Sequence, residues 1–462
     1  MKNVLKISVA VIIVSLLMAY GMREPVLDAE EIVENSVFKD RTFNGETEEI
    51  VADDGKIKAY LMSEHSVPLV SGSFGFDKAG TAYEKKTGVA MLAADIMVNG
   101  AGKYSRQELR DVMKEKGIHF GVSAGRDRLT FSFSYVKAFE KDAIKIIKAI
   151  LFEPRLSVED LALSKKQFTA ARKRQNENPQ YLLQKLVKEN FYGKHPYGKE
   201  SIPDETVLNA VKRQDLQAYF KRVMGKDNLK IGLAGDIDKE AAKGLIEELF
   251  GHLPDKAKVS DLVPFKADFK QEALQDEAPF SAQNFVGAVA SGLKRTDKDY
   301  YPLYIANYVL GGSSGLNSKL NKAVREERGL TYGIYSTLTH SDAADLWQIY
   351  FSATPQNAVQ AIDMTKQTYL DFYQNGISEG ELEGAKKALL SSFNLRFSSL
   401  LNIAEMLYDI QVNDLGIDFL KKRQGYVSAV TLDEVNQAIK KYFPSALESA
   451  CGTRWFEIIG KN

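Results

Sequence analysis

The chain has 462 residues, 44% hydrophobic and 26% charged, enough apolar material for two or more cores of ordinary domain size. Lysine plus arginine and aspartate plus glutamate both total 61, so the net charge is zero and gives no reason for general attraction to nucleic acid or acidic membranes. Cys451 is the sole cysteine, which excludes an intramolecular disulfide and a cysteine-based zinc cluster.

In chain order, Lys2 and Lys6 flank the start of the uncharged run 7–20, which reads as a secretory signal with cleavage after Gly21. The alternative is an uncleaved membrane anchor, although a full span needs about 20 apolar residues. Either way the protein is expected to be exported, to the periplasm or the extracellular side. Residues 22–45 are polar and form a lead-in with little core.

From Glu48 the pattern becomes strand-like, and Asp54 with Gly55 marks a hairpin turn. Residues 87–98 carry apolar side chains at helical spacing and stop at Asn99 and Gly100. Ser105 starts a helix that runs to Lys116, with Gly117 as its stop. The alternation in DRLTFSFSYV predicts a half-buried strand. Residues 137–152 read as a helix, and Ser157 with Asp160 opens a long polar one to about Gln175. A strand over 228–236 and a helix over 239–249 follow. The stretch 254–279 is rich in Lys, Asp, Pro and Ala, has weak periodicity, and reads as a linker.

The second half repeats the first. Asn99 and Gly100 fall on Gly311 and Gly312, and the offset of 212 then holds without a gap through Val112 on Val324, Gly117 on Gly329 and Gly121 on Gly333. Further on, SVEDLALSKK resembles SEGELEGAKK at an offset of 221. Duplication explains this better than chance. The expected organisation is a signal peptide over 1–21, an N-terminal domain over 22–253, a linker over 254–279 and a C-terminal domain over 280–462. The expected fold class is α+β: two homologous domains, each a mainly antiparallel sheet packed with helices, forming a clamshell-like cleft.

The segment VLGGSSGLNSKLNKAVREERGLTYGIYS resembles the C-terminal domain signature of the insulinase/pitrilysin zinc peptidases, the H-x-x-E-H or inverzincin type. That family includes the mitochondrial processing peptidase and the core proteins of the cytochrome bc1 complex. GTAYEKKTGVAMLAADIMVNGAGKYS resembles its first-domain helix region, and NENPQYLLQKLVKENFYGKHPYGKES the stretch after its distal zinc ligand. In active members two histidines at i and i+4 bind zinc, the glutamate before the second activates the bound water, and a distal glutamate completes the site. Here the three motif positions hold Met91, Ala94 and Asp95. The distal ligand falls near Ala171 or Arg172, with no acidic residue between Asp160 and Glu177. No zinc is therefore expected in this chain, and a nearby Lys or Arg is expected to cap Asp95. The histidines, His65, His119, His195, His252 and His340, lack ligand spacing and read as surface or packing residues.

The resemblance also implies an Arg and, seven residues later, a Tyr over the substrate carbonyl, here Arg325 and Tyr332. Spacing alone favours Arg325 pairing with Glu326 or Glu327 and Tyr332 simply packing. In two-subunit family members one chain brings zinc and the other brings Arg and Tyr. The leading expectation is a non-catalytic partner of a zinc-binding insulinase-type homologue in a heterodimer, holding a peptide by edge-strand addition. The alternative is a non-enzymatic binding or scaffold protein. A stand-alone peptidase with another mechanism is disfavoured, because there is no nucleophile elbow and no Cys/His candidate.

Overall fold

The computed structural model describes residues 46–267, 274–278, 281–312, 318–447 and 454–460. The signal segment, the lead-in, Cys451 and parts of the linker and of the GGSSGLN run lie outside them.

The first half builds a six-stranded sheet. Strands β1 (Glu48–Val51) and β2 (Lys58–Ser63) are antiparallel across the Asp54 and Gly55 turn, where Gly55 takes φ +70°. Strands β3 (Leu69–Asp77), β4 (His119–Ala124), β5 (Arg128–Val136) and β6 (Leu229–Gly235) complete it in the order β1-β2-β6-β3-β5-β4. All pairings are antiparallel except β2 with β6. The alternation in β5 buries Phe131 and Phe133, and Phe131 stacks on Phe74 of β3 at 4.7 Å.

Strands β7 (Leu274–Ala278), β8 (Asn284–Ser291), β9 (Ile334–Thr339), β10 (Leu346–Ala353) and β11 (Arg454–Gly460) form the second sheet, in the order β7-β11-β8-β10-β9. Its single parallel pair is β7 with β11. Strand for strand this repeats β2-β6-β3-β5-β4, parallel pair included. Strand β7 lies inside the stretch read from sequence as a linker. Its exposed Gln275, Asp276 and Glu277 hide the alternation that betrays other strands.

The helices obey their caps. Helix α1 (Val89–Met97) begins after Gly88, which takes φ +88°. Helix α2 (Arg106–Glu115) opens on a complete capping box between Ser105 and Glu108. Helices α3 (Glu140–Phe152), α4 (Val158–Asn176), α5 (Pro179–Phe191), α6 (Glu205–Ala210), α7 (Arg213–Val223) and α8 (Lys239–Phe250) follow in the first half. A 3-10 turn over Lys137–Phe139 replaces the first turn expected of α3. The second half carries α9 (Tyr300–Asn307), α10 (Pro355–Asn375), α11 (Glu379–Phe393), α12 (Leu400–Val412), α13 (Phe419–Ser428) and α14 (Leu432–Tyr442).

Two helices cross between the halves. Alternation along β6 sends Ile231 and Leu233 into the first core and leaves Gly232 on the other face, against α12. Gln411 of α12 accepts from Ile231 N at 2.6 Å and donates to Lys58 O at 3.1 Å. Reciprocally, Leu183, Val187 and Phe191 of α5 join Val289, Phe456 and Ile458 of the second sheet in a separate core. Helices α5 and α12 are duplicates at the 221-residue offset, both 13 residues long. Each duplicate covers the other half's sheet.

Candidate functional site

The N-terminus of α1 is held by a buried acid. Glu84, 8% exposed, accepts from Gly88 N at 2.8 Å and Ala90 N at 2.9 Å. Burial pushes its carboxyl up, against the opposing pull of those amides. Sequence reasoning missed Glu84. The signal available was an acid just before a Gly-initiated apolar helix, where a carboxylate satisfies orphan amides.

Within α1, Met91 and Asp95 are half-buried and Ala94 is buried. Asp95 is not capped by a Lys or Arg among the described residues, contrary to the expectation from sequence. Its Oδ2 accepts from the hydroxyl of Ser164 on α4, at 2.6 Å. Ser164 is itself buried, so a small neutral donor fits between the helices where a long cationic side chain does not. At the distal-ligand position, Ala171 packs on the first core. Arg172 pairs with Glu200 and, at 2.7 Å, with Asp204, while Lys185 reaches Glu200 at 2.8 Å. A thioether, a methyl, one engaged carboxylate and a guanidinium are not a donor set for Zn²⁺. The residues present do not fit the family's metal.

Arg325 lies in a π-helical turn over Asn321–Glu326. Gly329, at φ +61°, ends that turn, and its N–H donates to Arg325 O at 2.8 Å. The following loop is pinned on both sides. Asn321 Nδ2 donates to Ile334 O at 3.0 Å, and the Thr331 hydroxyl binds Ser352 O at 2.5 Å. Tyr332, at the tip, is 81% exposed. Neither Arg325 nor Tyr332 makes a side-chain hydrogen bond or ion pair among the described residues, whereas Glu327 pairs with Arg328 at 3.1 Å. Among the described residues, Arg325 and Tyr332 therefore do not take up the pairing and packing roles that spacing allowed them. β9 begins at Ile334, two residues after Tyr332.

The structure does not gather these five residues into one site. Met91, Ala94 and Asp95 sit on α1 beside α4, while Arg325 and Tyr332 sit at the entry to β9. None of them lines a cavity of about 700 Å³ that lies between α5 and the open face of β9 and β10. That cavity is mixed in character, with Arg126, Lys188 and Gln348 on its walls beside Leu183, Val187 and Val289. Burial, and then the neighbouring Arg126, push the Lys188 ammonium down.

No three His, Cys, Asp or Glu side chains cluster as a metal site among the described residues. His65 faces Asp236 at 2.7 Å, His252 packs edge-on against Phe152, and His340 faces Asp345 at 3.2 Å. His195 turns its own loop by accepting from Tyr197 N at 3.2 Å.

Comparison with known proteins agrees with this arrangement. Residues 76–204 match the profile described as insulinase, peptidase family M16, and residues 210–389 match the one described as peptidase M16 inactive domain. The non-peptidase homolog YmxG of Helicobacter pylori is 22% identical over 391 residues, which is 84% of this chain and 90% of that protein. The Bacillus subtilis protein described as uncharacterized zinc protease YmxG is 23% identical, over 68% of this chain and 75% of its own length. Among solved structures, a peptidase M16 inactive domain from Pseudomonas fluorescens superposes with a TM-score of 0.82 at 23% identity, covering 90% of this chain and 98% of that one. The chain thus belongs to the insulinase family of peptidases, M16, as an inactive homologue with the two-domain, clamshell-like α+β fold and without the family's zinc-binding residues.

Proposed function

We propose that this protein is the non-catalytic subunit of a heterodimeric metallopeptidase, partnered by a zinc-binding homologue of the same family. In this reading zinc resides in the partner alone. Arg325 and Tyr332 act in trans on the carbonyl of a bound peptide, as permanent cation and phenolic donor. The observation that carries the reading is the exposure of Tyr332 on a loop anchored at both ends. A phenol that served only packing would be buried, and one left loose would cost order on binding. The outer sides of β4 and β9 are sheet edges among the described strands, which suits edge-strand capture of an extended peptide. The basic and apolar N-terminal run supports the further reading that this activity lies outside the cytoplasm.

The test is peptide hydrolysis by the purified chain, by a zinc-binding homologue co-purified from the native host, and by the two together. The expected result is no turnover by this chain alone and a marked gain when both are present. Turnover by the partner that is indifferent to this chain would transfer the protein to the scaffold class.

A further inference from the structure

Duplication gives every first-half position a counterpart in the second half, and the degenerate zinc site has one too. At the offset of 212, Asp95 falls on Asn307. At the offset of 221 set by the later helices, Ala171 and Arg172 fall on Ser392 and Phe393. Asn307, Ser392 and Phe393 all line a single cavity of about 400 Å³. In the first half this location is filled by the Asp95 and Ser164 contact and by the Arg172 cluster. In the second half it is open.

The chemistry of that cavity is cationic. Arg295, Arg396 and Arg423 reach it from three different segments, and Asp409 is the sole carboxylate among its lining residues. Asp409 is already engaged by Arg295 at 2.6 Å. Arg396 and Arg423 form no ion pair among the described residues. Arg423 is 8% exposed, and its guanidinium carbon lies over the Phe393 ring, 3.8 Å from the centroid, with a 3.4 Å hydrogen bond to Leu389 O. A buried cation without a carboxylate is costly unless something anionic completes it. Tyr300, Tyr301 and Tyr304 add three phenols to the wall, and none of their hydroxyls bonds another described residue. Burial pushes the Tyr300 and Tyr301 hydroxyls up to about 12, so they remain donors at neutral pH.

We propose that this counterpart of the zinc site binds a small dianionic oxyanion, a phosphate monoester group, between Arg396 and Arg423 with tyrosine hydroxyls as further donors. The charge count selects a dianion, because Arg295 is neutralised by Asp409 and two guanidinium groups remain. The planar fork of arginine matches the oxygens of a phosphoryl group. The site lies within this chain and does not depend on the heterodimer reading above.

The test titrates the full chain calorimetrically with inorganic phosphate, with acetate and with sodium chloride at matched ionic strength. Phosphate is expected to bind saturably with Kd near or below about 1 mM, and acetate at least tenfold more weakly. Arg396→Ala, on the exposed rim, is expected to weaken phosphate binding about tenfold or more with an unchanged melting temperature. Arg423→Met keeps the stack on Phe393 in size and removes the charge, and is expected to abolish binding. Should Arg423→Met fail to fold, Arg396→Ala decides alone. Unsaturable phosphate binding, equal affinity for acetate, or wild-type affinity in Arg396→Ala overturns the proposal.

Discussion

Ser164 on α4 donates its hydroxyl hydrogen to the carboxylate of Asp95 on α1 at 2.6 Å, across the helix pair that bears the zinc ligands in active relatives. Where a metal would tie these two helices together, a hydroxyl-to-carboxylate hydrogen bond links them instead. Ser164→Ala should therefore lower stability by about 1–2 kcal/mol, because it leaves a half-buried carboxylate short of a donor. Removing both partners, in Ser164→Ala with Asp95→Ala, should cost less than the sum of the single changes. Urea melts of the four proteins check this, and strict additivity would mean that the contact contributes nothing.

Restoring the motif should not restore the enzyme. The triple variant Met91→His, Ala94→Glu and Asp95→His recreates H-x-x-E-H but leaves Arg172 at the distal position, held by Glu200 and Asp204. A cation beside a half-built site opposes Zn²⁺, and two imidazoles alone hold it weakly. Elemental analysis should find well under one zinc per chain and assays no chelator-sensitive hydrolysis. Robust zinc-dependent turnover would mean that another residue completes the site.

Arg325→Ala and Tyr332→Phe should leave the melting temperature of the isolated chain unchanged, since neither side chain has a hydrogen-bond or ion-pair partner among the described residues. In the heterodimer each should lower kcat by roughly 10- to 1000-fold per lost donor. KM should move less, because the contacts would strengthen in the transition state. Partner must be saturating in the assay, so that lost association is not read as lost chemistry. Full turnover by both variants removes the trans role.

The helix exchange makes a sharp contrast between two glycines. A Cβ on Gly232 would stand 2.1 Å from Ala404 O and 2.5 Å from Tyr408 N of α12, whereas on Gly287 it would meet Leu183 of α5 at 3.5 Å. Gly232→Ala should destabilise by about 3 kcal/mol, because rigid helix backbone must move away. Gly287→Ala should be neutral or stabilising by up to about 1 kcal/mol through lower unfolded-state entropy. Equal melting temperatures for the two variants would show that α12 does not seat on β6 as described.

The Arg172 cluster should make the protein acid-sensitive. Burial raises the Glu200 carboxyl, but hydrogen bonds from Lys185 and Arg172 outweigh it and hold the group below the ordinary glutamate value. A depressed acid contributes stability that is present above the unfolded pKa, 4.5, and is lost as pH falls through the folded value. Glu200→Gln should accordingly lower the melting temperature near neutral pH and flatten its decline on acidification below about pH 4.5. Parallel melting curves for wild type and variant across that range would exclude the linkage.

Much of this protein is local and could be read without a structure. Ser105 with Glu108 starts α2, the alternation in β5 selects its buried face, and Gly55, Gly117 and Gly329 occupy the positive-φ positions that end elements. The missing zinc residues are also a purely local fact, since Met91, Ala94 and Asp95 cannot supply imidazoles in any fold. What tertiary structure alone decided is who meets whom across long sequence separations. Asp95 and Ser164 are 69 residues apart, and no pattern distinguishes a serine partner from the many lysines and arginines nearby. Strand β7 is defined by pairing with β11 near the far end of the chain, because its own polar residues carry no apolar alternation. The seating of α12 depends on Gly232 opening the first sheet to a helix, and the arginines of the second-half cavity come from segments that only the closed fold brings together.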